Sequence, residues 1–239
     1  MRFFNDRVFE SRATFEEAQE NLKELRDKGF YVIGTDEAGR GALAGPVMAA
    51  AVFLTPDQEL ELKKFKLRDS KKMTPKSREK LFKIMQEMKI KFHIAHAGIK
   101  KIERENILNA SLYVMRRSSE LLARDLENNF KISREKICVI VDGNIGINNF
   151  NFHQWPLIQA DNLLSVVSAA SVVAKVMRDR LMKRLSKYYL KYDLAQNKGY
   201  PTKKHCEVLA DLGLSKIHRK SFCKKILKRA GGENFAGNK

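Results

Sequence analysis

The chain has 239 residues, 44% apolar and 31% charged, a balance that supports one globular core and excludes a low-complexity chain. No apolar run reaches the roughly 18 residues of a membrane-spanning helix, and Asp6 and Glu10 interrupt the stretch where a secretory signal would need its apolar region. Lys and Arg number 46 against 28 Asp and Glu, and the net charge of +18 points to a polyanionic partner, nucleic acid ahead of a membrane surface. The 3 cysteines, Cys138, Cys206 and Cys223, are widely spaced and form no CxxC pair, which argues against a disulfide framework and a zinc knuckle. The expectation is a protein of the reducing cytoplasm.

In chain order, residues 1–30 read as a helical extension, with Phe15, Ala18, Leu22 and Leu25 at helical spacing and Gly29 placed to stop it. Residues 30–35 form a short apolar run suited to a buried strand. A second run covers 46–54, and the Gly-rich segment between them suggests a hairpin. Residues 57–73 are charged and read as a loop. Thr74-Pro75 predicts an N-cap followed by proline in the first helical turn, opening a helix to about Lys89. Lys91 to Gly98 alternates as a strand, and a long helix is expected over about 102–126. Ile137 to Val141 is a continuous apolar run closed by Asp142, the pattern of an interior strand with an acid at its C-terminal end.

Phe152 to Ile158 is extended across Pro156. Asp161 then opens a helix expected over about 162–187, small and apolar at first and basic later. Two short helices are predicted near 202–212 and 215–228. The strip from Ser215 to Arg229 carries basic residues and no acid, and the residues from Gly231 onward are expected to be disordered. Short connections make the first three strands antiparallel, and a helical crossover leads to a parallel partner. The fold class expected is α/β, a five-stranded mixed sheet flanked by helices. Residues 31–190 would form the core, residues 191–229 a basic helical C-terminal subdomain and residues 230–239 a tail.

Four acids stand out. Asp36 and Glu37 follow the first strand directly, Asp142 ends the fourth, and Asp161 stands at a helix start. If strands one and four are neighbours, Asp36 and Asp142 converge at one end of the sheet. Adjacent carboxylates repel, and a hard cation with a preference for oxygen ligands removes that cost. Taken singly, Asp36-Glu37 also fits a solvated turn and Asp161 an N-cap whose charge suits the helix dipole.

Gly34-Thr35-Asp36-Glu37-Ala38-Gly39-Arg40-Gly41-Ala42-Leu43-Ala44-Gly45-Pro46-Val47 resembles the opening signature of the ribonuclease HII family. The likeness continues through Asp69-Ser70-Lys71-Lys72, Asn106-Ile107-Leu108-Asn109-Ala110, Val141-Asp142-Gly143-Asn144 and Asp161 with Ala169 to Val176 and Arg178-Asp179. It ends with Asn197-Lys198-Gly199-Tyr200-Pro201-Thr202, His205 and Ile217 to Phe222. Ala42, Gln159, Asn197 and Pro201 depart from the usual family pattern, where proline, lysine, histidine and glycine are commoner.

The resemblance implies an RNase H-like fold and a metal-dependent endonuclease. Such an enzyme hydrolyses the RNA strand of RNA/DNA hybrids and nicks 5′ to single ribonucleotides embedded in duplex DNA, leaving a 3′-hydroxyl and a 5′-phosphate. In this reading Asp36, Glu37, Asp142 and Asp161 hold Mg²⁺ or Mn²⁺, two ions during catalysis, which activate a water and stabilise the leaving oxygen. The same resemblance gives Gly39, Arg40 and Gly41 backbone contacts to the 2′-hydroxyl, and Tyr200 a stacking role at the ribose–deoxyribose junction. Ser70, Lys71 and Lys72 would hold phosphates. The expected partners are RNA/DNA hybrid and ribonucleotide-containing duplex DNA, with no membrane, and the expected state is a monomer. Two readings compete: another nuclease of the same superfold acting on DNA, and a non-catalytic basic nucleic-acid-binding protein. His205 and His218 read as structural hydrogen-bonding groups, and Ala169 to Ala174 as tight helix–sheet packing.

Overall fold

Five strands form one mixed sheet in the order β3-β2-β1-β4-β5. β1 (Tyr31–Ala38), β2 (Val47–Phe53) and β3 (Lys91–Ala97) are an antiparallel meander, while β4 (Ile137–Asp142) joins β1 in parallel and β5 (His153–Leu157) joins β4 in parallel. The computed structural model describes residues 9–65 and 73–229.

The interior strands read as unbroken apolar runs because both faces of the sheet are covered. On one face α6 (Ser165–Leu185) lies across β1 and β2, with α1 (Phe15–Asp27), α2 (Pro56–Lys63) and α3 (Pro75–Glu87) beside it. On the other face lies α4 (Ile99–Phe130). Neighbouring residues of one strand therefore serve two cores. Val32 packs with Leu22, Leu81 and Val172, whereas Ile33 packs with Val114, Leu122 and Val139. Pro156 is tolerated because β5 is an edge strand and has one neighbour to bond.

The β1–β2 hairpin, the β3 strand and the crossover to a parallel β4 follow the sequence expectation, as does the Thr74 cap, whose side chain accepts from the Ser77 N–H. Four local expectations are corrected. Residues 56–63 are helix, not loop. Thr55 and Gln58 close a capping box with Pro56 in the first turn, and Glu59 is buried against Arg26 at 2.6 Å.

The helix expected over 102–126 runs from Ile99 to Phe130 and bends at Asn106 (φ 64°, ψ 168°), whose Oδ1 accepts from the Asn109 N–H at 3.0 Å and caps the second segment. The helix expected from Asn162 is interrupted by Leu164 in extended conformation, leaving the short α5 (Ala160–Leu163) before α6. The last helix, α9 (Lys220–Arg229), begins later than expected. Residues 217–219 instead pair with the loop after β1, through Gly45 N–H to Ile217 O at 2.9 Å and Arg219 N–H to Leu43 O at 2.7 Å.

Two further helices complete this side, α7 (Leu194–Asn197) and α8 (Lys203–Leu212). They pack small apolar clusters onto the same loop, Leu43 with Leu209 and Cys223, and Ala44 with Met182 and Leu194. The three cysteines are free thiols. Among the described residues no helix is long and apolar enough to cross a membrane.

Candidate active site

The parallel register pairs Thr35 of β1 with Val141 of β4, so the next residues, Asp36 and Asp142, leave the same end of the sheet side by side. Glu37 follows Asp36 on β1. Asp161, fully buried, comes in from the first turn of α5. Asp36 is also buried, and its Oδ1 accepts the Glu37 N–H at 2.7 Å.

The charge environment is hostile to four ionised acids. Burial first, then Asp142 and Glu37, pushes the Asp36 carboxyl well above the usual carboxylate range. A hydrogen bond from Ser171 of α6 opposes that shift, and Asp161 adds to it. Glu37 is also pushed up by burial and by Asp142, against the pull of Arg40, whose Nη1 lies 3.5 Å from its Oε1. Among the described residues no three acid, histidine or cysteine side chains are already gathered closely enough to hold an ion. The acids nonetheless share one field, and their hard oxygen donors and mutual repulsion are what a divalent cation of the Mg²⁺ or Mn²⁺ kind relieves. The donor set fits such an ion.

Beside the acids opens a cleft of about 320 Å³ lined by Glu37, Gly39, Arg40, Gly41 and Tyr200. The two glycines differ in cause. Gly39 has φ +93°, and a Cβ there would collide with the Arg178 guanidinium. At Gly41 an added Cβ would meet nothing within 4 Å, so no internal packing demands its small size, and its backbone lies bare to the cleft. Tyr200 is half-buried, its ring 4.6 Å from Lys175 Nζ and 5.0 Å from Arg178 Cζ. Gly199 accepts from the Leu43 and Ala44 N–H groups, which ties the Tyr200 segment to the glycine loop. Asn197, one of the departures in sequence, is absorbed locally: its Nδ2 donates to Tyr192 O and its Oδ1 accepts from the Gly199 N–H. Ser70, Lys71 and Lys72 lie outside the described residues.

The cleft also takes Arg78 of α3 and Ser171 of α6, which the sequence reading gave no role, and Lys175 of α6, which it met only as part of a basic helix. Asp179, one turn beyond Lys175, holds Lys175 at 3.2 Å and Arg78 at 3.9 Å. The signal was present in the spacing of Ser171, Lys175 and Asp179, four apart on one helix face. It was masked by the general basicity of the segment and by the small apolar residues around Ser171. Arg178 of the same helix, within the stretch that reads as basic in sequence, is fully buried.

A larger cavity, about 630 Å³, lies at the α4 bend between Glu103, Asn106, Tyr113 and Asn148. Its acids are committed elsewhere, Glu103 to Ser221 and Glu105 to Lys101 and Arg104. The smaller cleft, bordered by the acidic sheet edge, is the better functional candidate.

A profile of the family described as Ribonuclease HII matches residues 33–225. The chain belongs to the ribonuclease HII family. It is 41% identical over 216 residues to a Ribonuclease HII of Fusobacterium nucleatum, covering 86% of this chain and 95% of that protein. It is 40% identical over 212 residues to a Ribonuclease HII of Caldicellulosiruptor saccharolyticus, covering 89% and 95%. Among solved structures it is similar to ribonuclease H2 from Pyrococcus horikoshii, with a TM-score of 0.63 and 24% identity over 85% of this chain and all, 100%, of that one. It is similar as well to a ribonuclease HIII solved with Mn²⁺, with a TM-score of 0.64 and 16% identity over 84% of this chain and 70% of the other. These likenesses show the RNase H-type α/β fold. As a ribonuclease HII family member, the protein is a ribonuclease H hydrolase acting on RNA/DNA substrates.

Proposed function

We propose that this ribonuclease HII family member nicks the ribonucleotide-bearing strand of a duplex on the 5′ side of the ribonucleotide, including a single ribonucleotide within DNA. The products would be a 3′-hydroxyl and a 5′-phosphate. The observation that carries the reading is one cleft in which Glu37, the bare backbone of Gly41 and the Tyr200 ring all meet, beside Asp36 and Asp142.

In this reading Asp36, Glu37, Asp142 and Asp161 hold the divalent ions, Mg²⁺ or Mn²⁺ and two in number. Bound there, the ions would lower the pKa of the attacking water and neutralise charge on the leaving oxygen. Ser171, hydrogen-bonded to Asp36, fixes the direction of that carboxylate. Arg40 restrains Glu37 from the solvent side. Lys175 and Arg78, held by Asp179, present positive charge to the phosphates entering the cleft. The Gly39–Gly41 backbone approaches the 2′-hydroxyl, the group that distinguishes RNA from DNA. Tyr200 offers its ring to the deoxyribose on the far side of the junction. Ser70, Lys71 and Lys72 are assigned to further phosphates.

One incubation tests the proposal. A duplex with a single ribonucleotide, an RNA/DNA hybrid and an all-DNA duplex are compared with Mg²⁺, Mn²⁺ and EDTA. The first two should be cut only with metal, the single-ribonucleotide duplex at one position, and the all-DNA duplex not at all. Cleavage that needs several consecutive ribonucleotides, or that persists in EDTA, would overturn it.

A further inference from the structure

Arg178 is fully buried, yet among the described residues its guanidinium makes no hydrogen bond to an acid. Its three nitrogens go to three backbone carbonyls. Nε donates to Pro46 O at 3.0 Å and Nη2 to Ala44 O at 3.2 Å, both in the loop that follows Gly39–Gly41. Nη1 donates to Lys198 O at 3.0 Å, two residues before Tyr200. The Tyr200 ring itself packs 5.0 Å from the same guanidinium carbon. The Gly39 Cα presses against it so closely that any side chain there would collide.

Burying a cation among carbonyls is costly unless each N–H is satisfied. Burial also draws the Arg178 pKa below its ordinary value. A planar fork with donors in fixed directions can bridge two segments at a set separation, and a lysine, with one rotating ammonium, cannot copy it. Arg219, also fully buried, holds the loop from its other side through Gly45 O and Arg40 O, but sends no hydrogen bond to the Tyr200 segment. The two segments also meet through the Leu43 and Ala44 N–H groups on Gly199 O and through Met182, which lies against both Gly45 and Gly199, and Arg178 adds side-chain hydrogen bonds to both.

We infer that Arg178 is a positioning residue for ribonucleotide recognition, setting the distance between the Gly39–Gly41 backbone and the Tyr200 ring. The inference rests on the reading of those two groups given under Proposed function. Arg178 does not reach the substrate, since no part of it is exposed. It acts by making the 2′-hydroxyl contact and the stacking surface a single rigid gauge, so that one ribose–deoxyribose step fits both together.

The test compares cleavage of a single-ribonucleotide duplex with cleavage of a long RNA/DNA hybrid, below the melting temperature of every variant. Arg178→Lys should lower the ratio of the two activities by about tenfold, or about 1.4 kcal/mol, with hybrid cleavage less affected. In a Tyr200→Ala background, Arg178→Lys should leave the ratio where Tyr200→Ala alone put it, because the two act as one unit. Equal loss on both substrates overturns the inference and leaves Arg178 a purely structural residue. Effects on the ratio that multiply in the double variant also overturn it. An unmoved ratio in Tyr200→Ala overturns the underlying reading of Tyr200, whereas an unmoved ratio in Arg178→Lys alone overturns only the inference. If Arg178→Lys does not fold, arginine-labelled NMR decides on the otherwise intact chain. The Arg178 Nε–H signal should exchange slowly and shift when Tyr200→Leu removes the ring. A signal that does not move overturns the coupling.

Discussion

Gly34 and Val166 meet backbone to backbone: a methyl group on the Gly34 Cα would lie 2.6 Å from the Val166 carbonyl carbon and 2.7 Å from its oxygen. This contact sets how closely α6 descends onto β1, and α6 carries Ser171 to Asp36. Gly34→Ala must push the helix off the sheet, since backbone cannot rotate out of the way. Overpacking of this kind costs about 1–3 kcal/mol. The expected outcome is a lower urea midpoint together with loss of cleavage. A variant of unchanged stability and full activity would show that the contact is not needed.

Asp36→Asn keeps the shape of the side chain and removes one charge from the acid cluster. Cleavage should collapse while binding of a ribonucleotide-containing duplex survives in a gel-shift or anisotropy measurement. Because Asp36 is crowded by Asp142, Glu37 and Asp161, the substitution also relieves repulsion. The variant should melt at a higher temperature than the unmodified chain in EDTA, and added Mn²⁺ should stabilise it less. Substantial activity at saturating metal would remove Asp36 from the site.

Tyr200→Ala removes the stacking surface in the cleft. Stacking of an aromatic ring on a base is worth roughly 1–3 kcal/mol, and with a comparable loss for the deoxyribose contact cleavage of the single-ribonucleotide duplex should fall roughly tenfold to a hundredfold. The long hybrid should lose less, since its phosphate and carboxylate contacts remain. Steady-state rates on the two substrates, measured side by side, decide the matter, and no loss on either would place Tyr200 outside recognition.

His205 and His218 form a buried chain in which only one arrangement of protons satisfies both ends. Ser215 N–H donates to His218 Nδ1 at 3.0 Å, His218 Nε2 donates to His205 Nε2 at 3.1 Å, and His205 Nδ1 donates to Tyr200 O at 2.9 Å. Charging either ring would set N–H against N–H. Burial, with His205 as neighbour, lowers His218 to about 4 from an ordinary 6.5, and burial lowers His205 as well. The unfolded chain therefore binds more protons than the native one between those values. The stabilising contribution is complete above 6.5 and is lost as pH falls toward 4. Over that window the unmodified chain should lose melting temperature relative to His218→Gln, while the raised Asp36 and Glu37 carboxyls act in the opposite direction in both chains. Calorimetry on the two chains across the window checks the difference, and equal slopes would refute the account.

Much of this protein is local enough to read without coordinates. The apolar runs of β1 and β4 name interior strands, Asp36 and Asp142 stand at their C-terminal ends, and Thr74-Pro75 marks a helix start, because each signal is contained within a few residues. The α2 helix was legible in the same way, through Thr55, Pro56 and Gln58, but its dense charge masked the cap.

What the tertiary structure decided are relations between distant segments. The placement of Asp161 depends on the interruption at Leu164, in a stretch whose own residues favour one continuous helix. The bend at Asn106 likewise divides a segment that reads as one helix. Arg178 and Arg219 look, in a chain of charge +18, like two more solvated cations. They are buried because carbonyls from the glycine loop, 132 positions from Arg178 and 174 from Arg219, converge on them. Composition and periodicity report which residues prefer water. They do not report which carbonyls a folded chain leaves in need of a donor, and that need, met only once the β1 loop and the C-terminal segments are assembled, shapes the cleft.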